Sequence, residues 1–165
     1  MQRWQSIICS KCDYQSDSLD KEEYGLELPL QSLQGVRVLS VEKSISQLLT
    51  PEILNGANQY SCPQCGEKRD ASRCLALRQL PDVLPVIIDR GVFDGATTEF
   101  IKDDGLFEFD LKLDMRQYTG NDADVYDLCS VISHQGDIYE GKYQAVIRDM
   151  LDEVYINEPQ GEQRR

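Results

Sequence analysis

Two short runs, Cys9-Ser10-Lys11-Cys12 and Cys62-Pro63-Gln64-Cys65, decide how this chain is read. Each sets two thiols three positions apart, so one tight turn can aim both at a single ion, and Gly66 after the second run supplies the backbone freedom such a turn needs. Four thiolates in a tetrahedral array make a structural zinc site, closed to water and suited to holding strands together rather than to hydrolysis. Here 50 positions separate Cys12 from Cys62, far more than in a compact finger, so tertiary structure must bring the two knuckles together. The alternative for the same residues is four reduced, buried cysteines or an oxidised pair. Cys74 and Cys129 have no partner at ligand spacing and read as small core hydrophobes inside strands.

The 165 residues, 41% hydrophobic and 28% charged, suffice for one sizeable core. The opening Met1-Gln2-Arg3-Trp4-Gln5-Ser6 lacks the apolar run of a signal peptide, and no stretch of about 18 apolar residues offers a membrane span. No membrane association is therefore expected, and a cytoplasmic or nuclear location is. In such reducing surroundings paired cysteines serve as metal ligands more often than as disulfides. A net charge of -12 repels a phosphate backbone, which argues against nucleic acid. It suits a partner with a basic face, or simply solubility.

Helical and strand periods both occur, which points to an α+β fold. Tyr24, Leu26, Leu28 and Leu30 alternate with Gly25, Glu27 and Pro29, a half-buried strand with Pro29 at its edge or end. Val41, Ile45, Leu48 and Leu49 recur at helical spacing after Ser40, a candidate N-cap, and predict a helix over residues 41–54, with Thr50-Pro51 able to start a second short one. A strand is expected over residues 71–80, a buried strand in Val83-Leu84-Pro85-Val86-Ile87-Ile88, and a loop over residues 90–105. Phe107, Phe109, Leu111 and Leu113 alternate as in an amphipathic strand. Residues 126–132 and 143–148 predict a hairpin with a long connection, and residues 158–165 a disordered polar tail.

Taken in order, these features resemble the ubiquitin-specific protease family of deubiquitinases. A first Cys-x-x-Cys, a strand and a helix precede Tyr60-Ser61-Cys62-Pro63-Gln64-Cys65; then Leu80-Pro81-Asp82-Val83-Leu84 is similar to the family's Leu-Pro-x-x-Leu segment, and Arg90 fits the basic residue that follows. Residues 107–115 resemble its Phe-Pro-x-x-Leu stretch. His134-Gln135-Gly136 and Gly141-Lys142-Tyr143 resemble its paired C-terminal motifs, a His-x-Gly loop and a Gly-His-Tyr turn. Over residues 7–157 the resemblance implies part of a hand-like α+β domain within residues 1–157. Its zinc-ribbon fingers would lie within about residues 7–75, with structural zinc on Cys9, Cys12, Cys62 and Cys65, and its antiparallel palm strands at about 76–157. It implies ubiquitin or a ubiquitin-like protein as partner. The family's reaction is hydrolysis after ubiquitin's C-terminal glycine by a cysteine that a histidine activates and an Asp or Asn orients.

The sequence departs from that pattern where the chemistry lies. The family's nucleophile belongs to a box well before the first knuckle, which here begins at Cys9, and no cysteine of this chain inherits its context. Lys142 stands at the general-base histidine; a lysine is a cation at neutral pH and has no lone pair to take a thiol proton. Asn157 matches the third catalytic position, Gly91 replaces an aromatic and Glu108 a proline, while His134, the only histidine, fits the non-catalytic His-x-Gly. The function expected is a truncated or degenerate deubiquitinase-family domain, inactive alone and binding ubiquitin or a partner. One alternative is the C-terminal portion of an active thiol-dependent deubiquitinase; another is a zinc-ribbon scaffold unrelated to ubiquitin. A palm without its thumb would expose apolar surface, so poor solubility or a covering protein partner is expected.

Overall fold

The structure, a computed structural model, describes residues 1–32, 35–148 and 155–157. In chain order the strands are β1 Gln2–Cys9, β2 Gln15–Glu22, β3 Leu26–Pro29, β4 Glu52–Leu54, β5 Tyr60–Cys62, β6 Glu67–Arg69, β7 Ala71–Arg78 and β8 Val86–Asp89. They continue with β9 Gly91–Asp94, β10 Glu99–Lys102, β11 Lys112–Asp114, β12 Val125–Asp127, β13 Ser130–Gly136, β14 Gly141–Arg148 and β15 Tyr155–Asn157. Among the described residues two α-helices interrupt them, α1 Val41–Leu48 of 8 residues and α2 Arg116–Thr119 of 4, with a 3-10 turn at Gly56–Asn58. The helical share expected of an α+β fold is thus small among the described residues: the fold is mostly strand.

The chain forms two compact units, one of Met1–Asp89, Phe107–Phe109 and Asp114–Val125, the other of Arg90–Leu106, Asp110–Leu113 and Tyr126–Arg165. In the first, a four-stranded sheet runs in the order β2-β1-β7-β4, with antiparallel neighbours throughout. β1 is central and pairs along its whole length with β7, from Gln2 opposite Arg78 to Cys9 opposite Ala71. β2 has almost no apolar residue because it is the sheet's edge; its ladder to β1 is reinforced by Arg3 donating to Asp20 at 2.7 Å and Gln2 to Glu22 at 3.2 Å. On β1 the Trp4 ring lies 4.8 Å from the guanidinium of Arg78.

Leu26, Leu28 and Leu30 are buried as the alternation requires, and Pro29 ends β3, but Tyr24 stands 99% exposed outside the strand. Ser40 caps α1 by accepting the Lys43 N–H at 3.3 Å, and Ile45 on the buried face of α1 is fully enclosed. Ser44 donates to the Pro29 carbonyl at 2.7 Å, tying α1 to the end of β3. The helix stops at Leu48 rather than continuing to 54. Pro51 cannot donate to a further turn, and residues 52–54 pair with β7 instead, Glu52 opposite Arg73. The apolar run at 83–88 is not a buried strand: only β8 forms, parallel to β3, and Val83 is 71% exposed. Pro81 and Pro85 remove the N–H groups that a longer ladder would need.

In the second unit the segment expected as loop, residues 90–105, holds the β9–β10 hairpin. Asp94 shapes its turn by accepting the Ala96 N–H at 2.9 Å and the Thr97 hydroxyl at 3.0 Å. Of the strand expected through Phe107 to Leu113 only β11 forms, beginning at Lys112; Glu108, which belongs to the first unit, instead makes an isolated bridge to Ser40 there. The strand expected over 126–132 breaks at Leu128 and Cys129 into β12 and β13, which leaves Cys129 exposed rather than in a core; Cys74 is half-buried on β7. β13 and β14 pair in register from Ser130 opposite Ile147 to Gly136 opposite Gly141, so the connection is four residues, not a long loop. The tail expected to be disordered, residues 158–165, lies outside the described residues.

Ile45→Ala should cost the chain about 2–5 kcal/mol and Ser44→Ala, which leaves the Pro29 carbonyl without its donor, about 1–3 kcal/mol in urea unfolding. An unchanged midpoint for Ile45→Ala would show that the α1–β3 contact is not a core contact.

Candidate metal centre and the C-terminal hairpin

The first knuckle closes where β1 ends. The Cys9 N–H donates to the Tyr14 carbonyl and the Asp13 N–H to the Cys9 carbonyl, both at 3.0 Å, which folds the chain back into β2. The second, between β5 and β6, closes when the Gly66 N–H donates to the Cys62 carbonyl at 2.9 Å. The residue four after the first cysteine of each pair is left-handed, Gly66 at φ 71° and Asp13 at φ 56°. Asp tolerates that region better than most side chains, so Asp13 does in the first knuckle what Gly66 does in the second. Gly66 was legible as a turn former; Asp13 was missed because nothing in its neighbourhood marks it as one.

The β1–β7 ladder joins the knuckles. β6 leads through Asp70 directly into β7, whose first residue Ala71 lies opposite Cys9, and the Ser10 N–H donates to the Asp70 carbonyl at 2.9 Å. Gln59 also donates to the Asp70 carboxylate at 2.8 Å, holding the approach to β5 beside the same corner. The sulfur atoms of Cys9, Cys12, Cys62 and Cys65 consequently lie within 4.8 Å of one another.

All four are free thiols, and the Cys12–Cys62 sulfur separation of 3.6 Å is far beyond an S–S bond, which removes the oxidised-pair alternative in this structure. Zinc–sulfur bonds of about 2.3 Å imply sulfur–sulfur edges of about 3.8 Å, so this spacing fits a tetrahedral ion. Cys9 and Cys62 are buried and Cys12 and Cys65 half-buried, which suits a closed structural site. The Lys11 N–H, aimed at the Cys9 sulfur, pulls that thiol down to about 7, with burial opposing and the Cys12 N–H assisting. Cys65, crowded first by the Cys12 sulfur and then by burial, is pushed up to about 12. Backbone donors thus prepare one sulfur as an anion, while the last proton needs a competing cation to displace it.

In the second unit the β13–β14 hairpin carries His134 and Lys142. His134 faces Tyr143 across the ladder, ring centroids 4.7 Å apart and tilted by 45°, and Lys142 lies exposed opposite Gln135. The turn between the strands is tight. Gly136 has φ 130°, where an added Cβ would meet the Glu140 carbonyl oxygen at 2.2 Å; one on Gly141 would meet His134 Nε2 at 2.1 Å. Asp137 Oδ1 accepts the N–H groups of Tyr139 at 2.7 Å and Glu140 at 2.8 Å. Those bonds, Glu140 foremost, hold its carboxyl below the usual range.

Among the described residues of this unit, neither Asn157 nor Cys129 lies opposite Lys142 in the strand ladder. Asn157 on β15 lies opposite Val146, four residues along β14 from Lys142, or about 13 Å of strand. Cys129 precedes β13, five residues or about 16 Å from His134, and its carbonyl accepts the Arg148 N–H at 2.8 Å at the other end of the hairpin. Cys74 belongs to the first unit.

The profile of the ubiquitin carboxyl-terminal hydrolase family matches residues 2–158. The chain is 37% identical to ubiquitin carboxyl-terminal hydrolase 26 of Arabidopsis thaliana over 147 residues, and 35% identical to ubiquitin carboxyl-terminal hydrolase 48 of Rattus norvegicus over 145 residues. Each alignment covers 86% of this chain but only 13% of the relative. Among solved structures, the SAGA Ubp8/Sgf11/Sus1/Sgf73 DUB module bound to ubiquitin aldehyde matches at a TM-score of 0.76 and 22% identity, covering 98% of this chain and 38% of that one. A Ubp8 variant in the same module, bound to monoubiquitin, matches at 0.77 and 23%. The family match over residues 2–158 and the identity to these relatives show that this chain belongs to the ubiquitin carboxyl-terminal hydrolase family, the deubiquitinases.

Proposed function

We propose that this chain is the fingers-and-palm part of a ubiquitin-specific protease fold, that it holds one structural zinc, and that it binds ubiquitin or a ubiquitin-like protein without hydrolysing its conjugates. The observation that carries the inactive reading is Lys142, an exposed cation on the hairpin position that resembles the family's base. Residues 7–75 are assigned to the fingers and 76–157 to the palm. The net charge of -12 favours a partner with a basic face over nucleic acid. Exposed Phe93, Phe100, Ile132, Tyr139 and Tyr143 in the second unit favour a further protein partner on the palm. Reduced thiols fit the cytosol or nucleus.

Zinc here is a cross-link. Cys9, Cys12, Cys62 and Cys65 would hold it, and the closed four-sulfur shell supplies no activated water. The expected stoichiometry is one zinc per chain by elemental analysis, lost on Cys12→Ser or Cys62→Ser and kept on Cys74→Ser or Cys129→Ser. Because the ion must displace protons from thiols, affinity should fall as pH falls. Zinc retained by the Cys62→Ser chain at full affinity would remove the four-thiolate site.

The function itself is tested by titrating the zinc-loaded chain with ubiquitin and treating it with an electrophilic ubiquitin C-terminal probe. Saturable binding with no covalent adduct is the expected result. An adduct would overturn the inactive reading, and zinc binding without ubiquitin binding would point to the scaffold. A second reading, the C-terminal portion of an active thiol-dependent deubiquitinase, is favoured by the chain's spanning only 13% of its relatives' length. It predicts hydrolysis when the family's Cys-box segment is added in trans, with Lys142 left in place.

A further inference from the structure

Lys102 ends β10 with a side chain only 11% exposed. Its ammonium donates to the His134 carbonyl at 2.9 Å and to the Gly136 carbonyl at 2.8 Å, and pairs with Asp104 at 2.8 Å. Three protons meet three acceptors, so the group is fully satisfied. Asp104 is 72% exposed, so water screens that pair; of the two carbonyl bonds, the one to His134 is part-buried and the one to Gly136 exposed. Residues two apart in a strand turn their carbonyls to the same edge, and β13 is the outer strand of the order β13-β14-β15. Lys102 therefore occupies a stretch of free sheet edge that would otherwise leave two acceptors without donors.

We propose that Lys102 is the positioning residue of the β13–β14 turn: bridging the His134 and Gly136 carbonyls, it fixes the end of β13 and thereby where residues 137–140 and Lys142 project. The turn has no slack to absorb a shift. Gly136 sits against the Glu140 carbonyl and Gly141 against the His134 ring, so movement at Gly136 passes to Glu140 and Gly141. The same lysine closes the β9–β10 hairpin, in register with Gly91, so the two hairpins of this unit share one pin. Any consequence for partner recognition rests on the ubiquitin-binding reading; the pin itself does not.

Amide hydrogen exchange on the full chain without ubiquitin tests it, comparing the native protein with Lys102→Met, Lys102→Arg and Asp104→Asn. Loss of a sheltered charged donor in Lys102→Met should speed exchange at Tyr139, Glu140 and the end of β13 by about tenfold or more. Lys102→Arg should restore most of the protection and Asp104→Asn should change it little, while β1 and β7 exchange as in the native chain. Native protection in Lys102→Met, or Lys102→Arg as fast as Lys102→Met, overturns the proposal. Should Lys102→Met disturb β1 and β7 as well, Lys102→Arg decides: turn protection kept supports the pin, turn protection lost refutes it. Ubiquitin titrated into the same four proteins separates the two readings, since failure of all to bind would sink ubiquitin recognition and leave the exchange result standing.

Discussion

Pairing of β1 with β7 is the constraint on which the first unit depends. Its last pair sets Cys9 opposite Ala71, a few residues beyond Cys65, and so closes a separation of 50 residues between Cys12 and Cys62 without a compact finger loop. Everything else at the corner follows from that register. β2 folds back from the first knuckle, β5 and β6 fold around the second, and a slip of one residue would turn Cys9 to the other face of the sheet. A sheet alone leaves the corner held by a few backbone bonds and four crowded sulfurs. An ion that binds all four would cross-link both ends of the long insertion at once, on the order of 10 kcal/mol of binding free energy coupled to folding.

The second unit is organised differently. Two hairpins supply most of its regular structure, with aromatic residues on their exposed faces, and Phe93 meets Phe100 edge-on at 5.5 Å across the β9–β10 ladder. Isolated two-stranded hairpins are marginal in water. Polar pins therefore matter here more than in the first unit: Arg90 donates to the Asp103 carbonyl at 2.8 Å and the Gly105 carbonyl at 3.0 Å, closing the loop after β10.

Much of this was legible because short spacings carry strong chemistry. The two Cys-x-x-Cys runs, the Ser40 cap, the Leu26–Leu28–Leu30 alternation and the paired Gly136 and Gly141 all act within a few residues, and all are found where the sequence puts them. What escaped depends on distant partners. β1 and β2 were invisible because a central strand with Gln2, Arg3, Gln5 and Ser6, and an edge strand reading QSDSLDKE, owe their existence to ladders rather than to apolar alternation. The helix was overextended because Ile53 and Leu54 continue its period although β7 claims them. Likewise Cys129 looked like strand core, and only the break between β12 and β13 exposes it. Lys102 was missed for the same reason, since its partners are carbonyls more than thirty positions away, whereas the role of Asp13 is local and set by a backbone angle.

X-ray absorption at the zinc edge on the purified, zinc-loaded chain tests the central claim most directly, because it reads the ion's own neighbours. Four sulfur scatterers at about 2.3 Å, with no nitrogen or oxygen shell, is the result this account predicts. A first shell containing His134, a carboxylate or water, or fewer than four sulfurs, would contradict it and detach the β1–β7 corner from the role given to it here.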